Sequence, residues 1–237
     1  MSSVLVGTAG WTIPRHVAAQ FPTEGSSLQR YASRFSVAEI NSSFHRPHRI
    51  STWERWRDSV PPGFRFSVKL PKRVTHELKL IGCDDELQLF LTQAHTLGTK
   101  LGILLVQLPP KLEFDAALAA DFFARFTSRT DARIACEPRH PSWFSESADA
   151  DLRQHGVARV AADPAIIPAA AQPGGASHFV YWRLHGSPVK YRSSYAVRLP
   201  AIAAELQTAA ASGAEVWCIF DNTASSAALG DALMLGA

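Results

Sequence analysis

Seven stretches of the chain begin apolar and end polar, and those polar ends carry most of the residues able to do chemistry. They finish in Glu39 and Asn41, Ser67 and Lys69, Gln107, Glu137 and Arg139, Asp163, Arg183 and His185, and Asp221 and Asn222. Lys69, Arg139 and Arg183, with Arg192 further on, suit an anion, because a guanidinium fork matches paired carboxylate or phosphate oxygens. Glu39, Glu137, Asp163 and Asp221 can neutralise those cations, act as acid or base, or bind a divalent metal. A carboxylate beside arginine has its pKa lowered, which suits a base or an orienting group better than an acid. His185 is the natural proton carrier near neutral pH, although it can equally bond the Gly186–Pro188 turn. The expected division of labour puts Glu39, Glu137 and His185 on proton transfer and Lys69, Arg139 and Arg183 on the anion. Asn41, Gln107 and Asn222 then orient the substrate.

These side chains need strands to position them. Side chains two apart on a strand share a face, so Glu39/Asn41, Ser67/Lys69, Glu137/Arg139 and Arg183/His185 project as pairs. Their alternating neighbours (Ala38, Ile40, Phe66, Val68, Ile134, Cys136, Trp182, Leu184) are apolar and suit packing on helices. Strands are expected at Val4–Thr8, Val37–Asn41, Phe64–Leu70, Leu101–Leu108, Ala132–Glu137, Val157–Ala162, His178–His185 and Glu215–Asp221. Helical spacing appears between them, at Leu28…Phe35, Leu87…Ala94 (with Asp85…Gln88 as a capping box), Leu118…Phe126, Ile202…Ala209 and the alanine-rich Ser225–Leu235. The Pro/Gly-rich stretch Pro164–Gly175 is expected to be a long loop. Alternating strands and helices imply a parallel sheet covered by helices. Eight strands in 237 residues fit one α/β domain over 1–237, a (β/α)8 barrel with its site at the C-terminal mouth. A doubly wound sheet fits less well, because Gly7-Thr-Ala-Gly10 lacks the dinucleotide-binding spacing and no phosphate loop follows a strand.

Composition narrows the function classes. The 24 basic and 21 acidic residues leave a net charge of +3, which gives little support to a polyanion-binding surface. Arg46–Arg57 and Pro71-Lys-Arg73 are the weak basis for a non-catalytic ligand or nucleic-acid binder. The N-terminal residues lack a basic segment followed by a long apolar one, so no export signal is expected. The most apolar run, Leu101–Leu108, is far shorter than the roughly 20 residues of a membrane span. Cys83, Cys136 and Cys218 are odd in number and far apart, which fits a reducing cytoplasm better than a disulfide framework or structural zinc. Neither a His-Glu-x-x-His motif nor a nucleophile-elbow serine is present.

Several segments together resemble the domain of unknown function 72 family. They are Gly7-Thr-Ala-Gly10-Trp11, Glu39-Ile-Asn41-Ser-Ser-Phe44-His45-Arg-Pro47 with Trp53 and Trp56, and Phe64-Arg-Phe66-Ser-Val-Lys69 with Thr75-His76. Gly102…Gln107-Leu-Pro-Pro110, Glu137-Pro-Arg139-His140-Pro-Ser-Trp143, Tyr181-Trp-Arg183-Leu-His185-Gly186 and Phe220-Asp-Asn222 follow in order. The resemblance implies an eightfold β/α barrel and supplies no reaction. The chain departs from the family pattern where Ser43 and His45 replace Thr and Tyr, and where Asp221 replaces Asn. His45, His76, His140, Asp163, Tyr191, Arg192 and Asp221 form a secondary set of candidates, with Tyr191-Arg192-Ser-Ser-Tyr195 suited to a lid. The expected function is binding of a small anionic or polyhydroxylated metabolite, with cofactor-independent hydrolysis or isomerisation. A metal-dependent phosphoester hydrolase is the main alternative.

Overall fold

The structure is a computed structural model describing residues 4–236; Met1–Ser3, part of the stretch expected to hold no export signal, lie outside the described residues. Its strands are β1 (Val4–Thr8), β2 (Val37–Ile40), β3 (Arg65–Lys69), β4 (Leu101–Gln107), β5 (Arg133–Glu137), β6 (Val157–Arg159), β7 (Ala161–Asp163), β8 (Gly174–Gly175), β9 (Phe179–Leu184) and β10 (Glu215–Phe220). Its α-helices are α1 (Ser27–Ala32), α2 (Ile50–Asp58), α3 (Asp84–Ala94), α4 (Ala116–Thr127), α5 (Glu146–Gln154), α6 (Leu199–Ala211) and α7 (Ala227–Gly236). Among the described residues no helix is long and apolar enough to cross a membrane.

The strands form a mixed α/β fold with two largely parallel sheets, in the orders β1-β10-β9-β7 and β2-β3-β4-β5-β6-β8. The stretch expected as one strand, Val157–Ala162, is divided. Its first half pairs with β5 and its second with β9, so the chain passes from one sheet to the other at Val160. Within the expected loop after it, β8 pairs antiparallel with β6 and a 3-10 turn forms at Pro168–Ala171. At the other junction β1 meets β2 through a single bridge between Ala9 and Glu39, where Gly10 N donates to Glu39 O at 2.8 Å.

Strand alternation divides the core into two clusters. Ala38, Ile40, Phe66, Val68, Ile134, Cys136, Trp182 and Leu184 pack with helix residues such as Phe90, Phe122 and Leu206. The opposite parity gives a second cluster that includes Val37, Ile103, Leu105, Ala135, Tyr181, Trp217 and Ile219. Near its edge, Glu215 accepts from Arg65 at 3.0 Å, from Trp217 Nε1 at 2.7 Å and from Arg133. This ion cluster lies at the N-terminal ends of β3, β5 and β10, opposite the polar strand ends.

Local signals account for most of the helices. The reciprocal capping box falls on α1, where Ser26 Oγ accepts from Gln29 N and Gln29 Oε1 accepts from Ser26 N. Helix α3 was expected to carry one at Asp85…Gln88, but it begins after Cys83 with no side-chain cap. Its acidic first turn instead faces arginines, Asp84 bonding Arg125 and Arg129 at 2.5 Å each. Helices α2 and α5 were not expected, because each buries very little: Trp53 in α2, and Ala148 and Leu152 in α5. The three cysteines are buried and free.

At the β1–β2 junction Gly7 permits a close approach: a Cβ there would lie 2.4 Å from the Val37 carbonyl oxygen. Gly7→Ala is therefore expected to destabilise by about 1–3 kcal/mol, lowering Tm by several degrees in thermal unfolding. Gly63→Ala, where a Cβ meets nothing within 4 Å, serves as the comparison and should leave Tm nearly unchanged. Equal effects would contradict the close-approach account.

Candidate functional site

The polar strand ends converge on Arg183, the fifth residue of β9. Its guanidinium is fully buried and touches three carboxylates. Nε donates to Glu39 Oε2 at 3.0 Å and Nη2 to Glu39 Oε1 at 2.6 Å, a bidentate pair with the end of β2. Nη1 donates to Glu137 Oε2 at 2.5 Å and Nη2 to Asp221 Oδ2 at 2.9 Å. Every guanidinium nitrogen is thus engaged by an anion of the protein itself. Tyr181, two residues earlier on the same face, donates its hydroxyl to Glu39 Oε2 at 2.8 Å and lies 2.8 Å from Ser67 Oγ.

His185 stands between two of these carboxylates, with Nδ1 3.0 Å from Asp221 Oδ2 and Nε2 2.9 Å from Glu137 Oε1. An ionised carboxylate only accepts, so the placement suits a ring that donates from both nitrogens. Burial works against the Glu137 carboxylate, but the positive charges of Arg183, His185 and Arg139 outweigh it and hold its pKa well below the usual range. Burial likewise opposes Asp221, and Arg183 with the His185 hydrogen bond carries it downward. Gln107 donates to Glu137 Oε2 at 2.8 Å, while Arg139 Nη2 lies 3.3 Å from Glu137 Oε1. Asn41 Nδ2 donates to Asp221 Oδ1 at 3.5 Å, and its side-chain Oδ1 is buried without a donor among the described residues.

Lys69 ends β3 at the edge of this network. Only 7% of the residue is exposed, and among the described residues its ammonium has no carboxylate within salt-bridge distance. It sits instead 4.0 Å from the centre of the Phe44 ring. Burial, followed by repulsion from Arg183, lowers its pKa to about 8. The ring of His76, in a π-helical turn after β3, packs edge-on to the same Phe44 at 5.0 Å and accepts or donates at 2.8 Å to Thr75 Oγ1. Burial and the charges of Lys69, Arg139 and Lys72 push His76 down to about 4, so it is neutral at pH 7.

Other candidates serve the surrounding loops. Tyr191, on the loop after β9, sets its ring edge-on over His185 at 5.7 Å and its hydroxyl 3.4 Å from Arg139. Asp163 accepts from the Tyr195 hydroxyl at 2.7 Å and from Arg198 at 2.8 and 3.0 Å, while the Tyr195 oxygen accepts from Gly186 N. Asn222 donates to Ser193 O and to Asp231, so it ties the same loop to α7. Arg192 and His45 are exposed, and His140 caps the 3-10 turn at Pro141–Phe144 through Ser142. Phe44, Tyr181 and Asp231 were not among the expected site residues. An aspartate inside the alanine-rich terminal helix was the one available signal, for Asp231 alone.

Space around the network is uneven. Directly over Glu137 and His185 the cavity measures only about 20 Å³, room for roughly one water, and is closed by Pro164, Ile166 and Lys190 among others. A roomier groove of about 460 Å³ lies beside Phe44, between His45, Arg46 and Pro47 on one side and Pro71, Leu89 and Phe90 on the other. Among the described residues no three His, Cys, Asp or Glu side chains gather with metal-site geometry.

Comparison with known proteins places this architecture. The family model described as "Protein of unknown function DUF72" matches residues 5–237, and the chain belongs to that family. It is 28% identical over 172 residues to the UPF0759 protein YecE of Escherichia coli strain K12, covering 70% of this chain and 61% of that protein. To the UPF0759 protein YunF of Bacillus subtilis strain 168 it is 27% identical over 150 residues, covering 60% of this chain and 52% of YunF. The matched stretch thus spans less than two thirds of these relatives. Crystal structures of DUF72 family proteins share the fold. That from Enterococcus faecalis V583 has a TM-score of 0.81 at 18% identity, covering 98% of this chain and 94% of that one. That from Thermotoga maritima MSB8 has a TM-score of 0.79 at 22% identity, covering 98% and 97%.

Removing the central cation tests the network. Arg183→Met removes the guanidinium shared by three buried carboxylates and leaves Glu39 with no cation at salt-bridge distance among the described residues, so it is expected to cost about 3–5 kcal/mol at pH 7 in urea unfolding. Glu137 and Asp221 have depressed pKa values, so they stabilise the native state above the unfolded carboxylate range and lose that contribution as pH falls. The variant lacks this contribution, so the gap to wild type should narrow as pH drops through the carboxylate range. A gap that stays constant or widens would contradict the assignment.

Proposed function

We propose that the two sheets are arcs of one eightfold β/α barrel formed by the whole chain, with a small-anion site at its C-terminal mouth. The arcs are supported by the strand shared across Val160 and by the bridge at Ala9 and Glu39. Contacts from β9 to β2, β3 and β5 through Tyr181 and Arg183 fit an enclosed interior. The three free, buried cysteines fit a reducing, cytoplasmic setting.

The observation that carries the functional reading is a pair of cations outside the Arg183 frame. Lys69 has no carboxylate at salt-bridge distance among the described residues, and Arg139 has one ion pair among them, a 3.3 Å contact with Glu137. Arg183 is consumed by Glu39, Glu137 and Asp221, so it frames the site rather than holding a ligand. Lys69 and the partly exposed Arg139 remain to hold a carboxylate or phosphate group. The unpartnered Asn41 oxygen suits a ligand hydroxyl. Glu137, kept ionised, is the base, and His185, fixed between two carboxylates, is the proton donor for hydrolysis or isomerisation without a cofactor. Because the space over Glu137 holds about one water, a ligand enters only when the loop bearing Tyr191 lifts.

The donor set disfavours the alternatives. A divalent ion among Glu39, Glu137 and Asp221 would have to displace Arg183. Of the suggested nucleic-acid contacts in Arg46–Arg57 and Pro71-Lys-Arg73, Arg57 is paired with Asp58, and Lys72 and Arg73 are tied to Glu77 and Glu86.

Phosphate and small carboxylates are expected to raise Tm by several degrees near saturation, by mass action on the native state. Arg139→Ala should abolish most of that shift. The shift should also shrink as pH rises through about 8, where Lys69 loses its charge. No stabilisation by any anion, or an undiminished shift in the Arg139 variant, would overturn the reading.

A further inference from the structure

Lys69 poses a chemical question that anion binding does not exhaust. A cation withdrawn from water normally takes a carboxylate partner, because desolvation of an unpaired charge is strongly unfavourable. Three carboxylates stand at neighbouring strand ends, yet all face Arg183 and His185. Burial and the like charge of Arg183 favour the neutral amine, and the contact that compensates at its Nζ is the face of the Phe44 ring, weaker than a carboxylate. At pH 7 roughly a tenth of it is free amine, hundreds of times the fraction for an ordinary surface lysine by rough estimate. Desolvation beside another cation is the arrangement that turns a lysine into a nucleophile toward carbonyl compounds.

We propose that Lys69 is an imine-forming lysine, whose Nζ condenses with the aldehyde or keto group of a small anionic metabolite held by Arg139. This rests on the anion-site reading above and names its substrate class. The amine lone pair attacks the carbonyl carbon, a C–N bond forms and the carbonyl π pair moves to oxygen. That oxygen takes one proton from the attacking nitrogen and one from solvent, and leaves as water when the C–O bond breaks. The nitrogen keeps one hydrogen and bears the positive charge of the iminium. An iminium withdraws electrons from the adjacent carbon, so a proton lost there can pass to the Glu137 carboxylate. That step makes the site suited to isomerising or cleaving an α-substituted oxo acid or oxo phosphate.

The test treats the full chain with glyoxylate, which carries both an aldehyde and a carboxylate, and traps any imine with sodium cyanoborohydride before peptide mass spectrometry. At pH 7 Lys69 should be alkylated at least about tenfold faster than the exposed Lys79 and Lys111. Arg139→Ala should slow labelling of Lys69 but not of the other two. Lys69→Arg, which cannot form the imine, should lose the rapid phase while Lys79 and Lys111 label as before. Labelling of Lys69 no faster than of surface lysines overturns the proposal. If phosphate still raises Tm in that case, only the imine is lost; if it does not, the anion site falls as well.

Discussion

A guanidinium taken completely out of water must have its N–H groups met, and at Arg183 the protein meets them with three carboxylates from separate parts of the chain. Glu39 is the third of four residues in β2, Glu137 ends β5 and Asp221 follows β10, so a single side chain on β9 ties together the C-terminal parts of four strands. The desolvation of so many charges is tolerable only with close, bidentate geometry and further hydrogen bonds on the remaining lone pairs. Tyr181, Gln107, His185 and Arg139 provide those bonds. Any one of them can be read as a minor contact, but together they complete the carboxylate shells.

The constraint also explains which groups are left for chemistry. Three carboxylates are committed to Arg183; the pKa values of Glu137 and Asp221 are lowered by it, and His185 is pinned between those two. Lys69 and Arg139 are the positive groups that this frame does not fully consume. The contrast with the opposite end of the strands is instructive. There Glu215 is enclosed by Arg65, Arg133 and Trp217, two guanidiniums sharing one carboxylate. That lower cluster ties the starts of β3, β5 and β10 together, whereas the upper one leaves Lys69 without a carboxylate contact among the described residues, beneath a loop held by Tyr191, Tyr195 and Asn222.

Much of this was legible in the sequence because strand alternation is a strict period of two. Knowing that Glu39, Lys69, Glu137 and Arg183 share parity with each other, and not with Phe66 or Trp182, was enough to bring them to one face. Pairing was not legible: alternation places Arg183 inside but does not say that carboxylates will occupy every nitrogen. Tyr181 was hidden because a tyrosine in an apolar run reads as core, and only its buried hydroxyl makes it part of the network. Asn222 and Asp163 lie at strand ends as expected, yet they bond the loop after β9, because residues just past a strand can turn toward either neighbour. Helices α2 and α5 escaped for a different reason, since one or two buried side chains leave no periodic apolar stripe. The break at Val160 has no sequence mark at all; it arises from where the two neighbouring strands lie.

The central claim is that Lys69 is a buried amine without a carboxylate partner among the described residues, set against the charge of Arg183. Direct NMR titration of its side-chain nitrogen, assigned by loss of the signal in Lys69→Met, tests this without a ligand or an assay. The account predicts a midpoint near 8, well below the ordinary lysine value of 10.5. A midpoint at or above 10.5 would show that Lys69 is solvated or paired, and would contradict it.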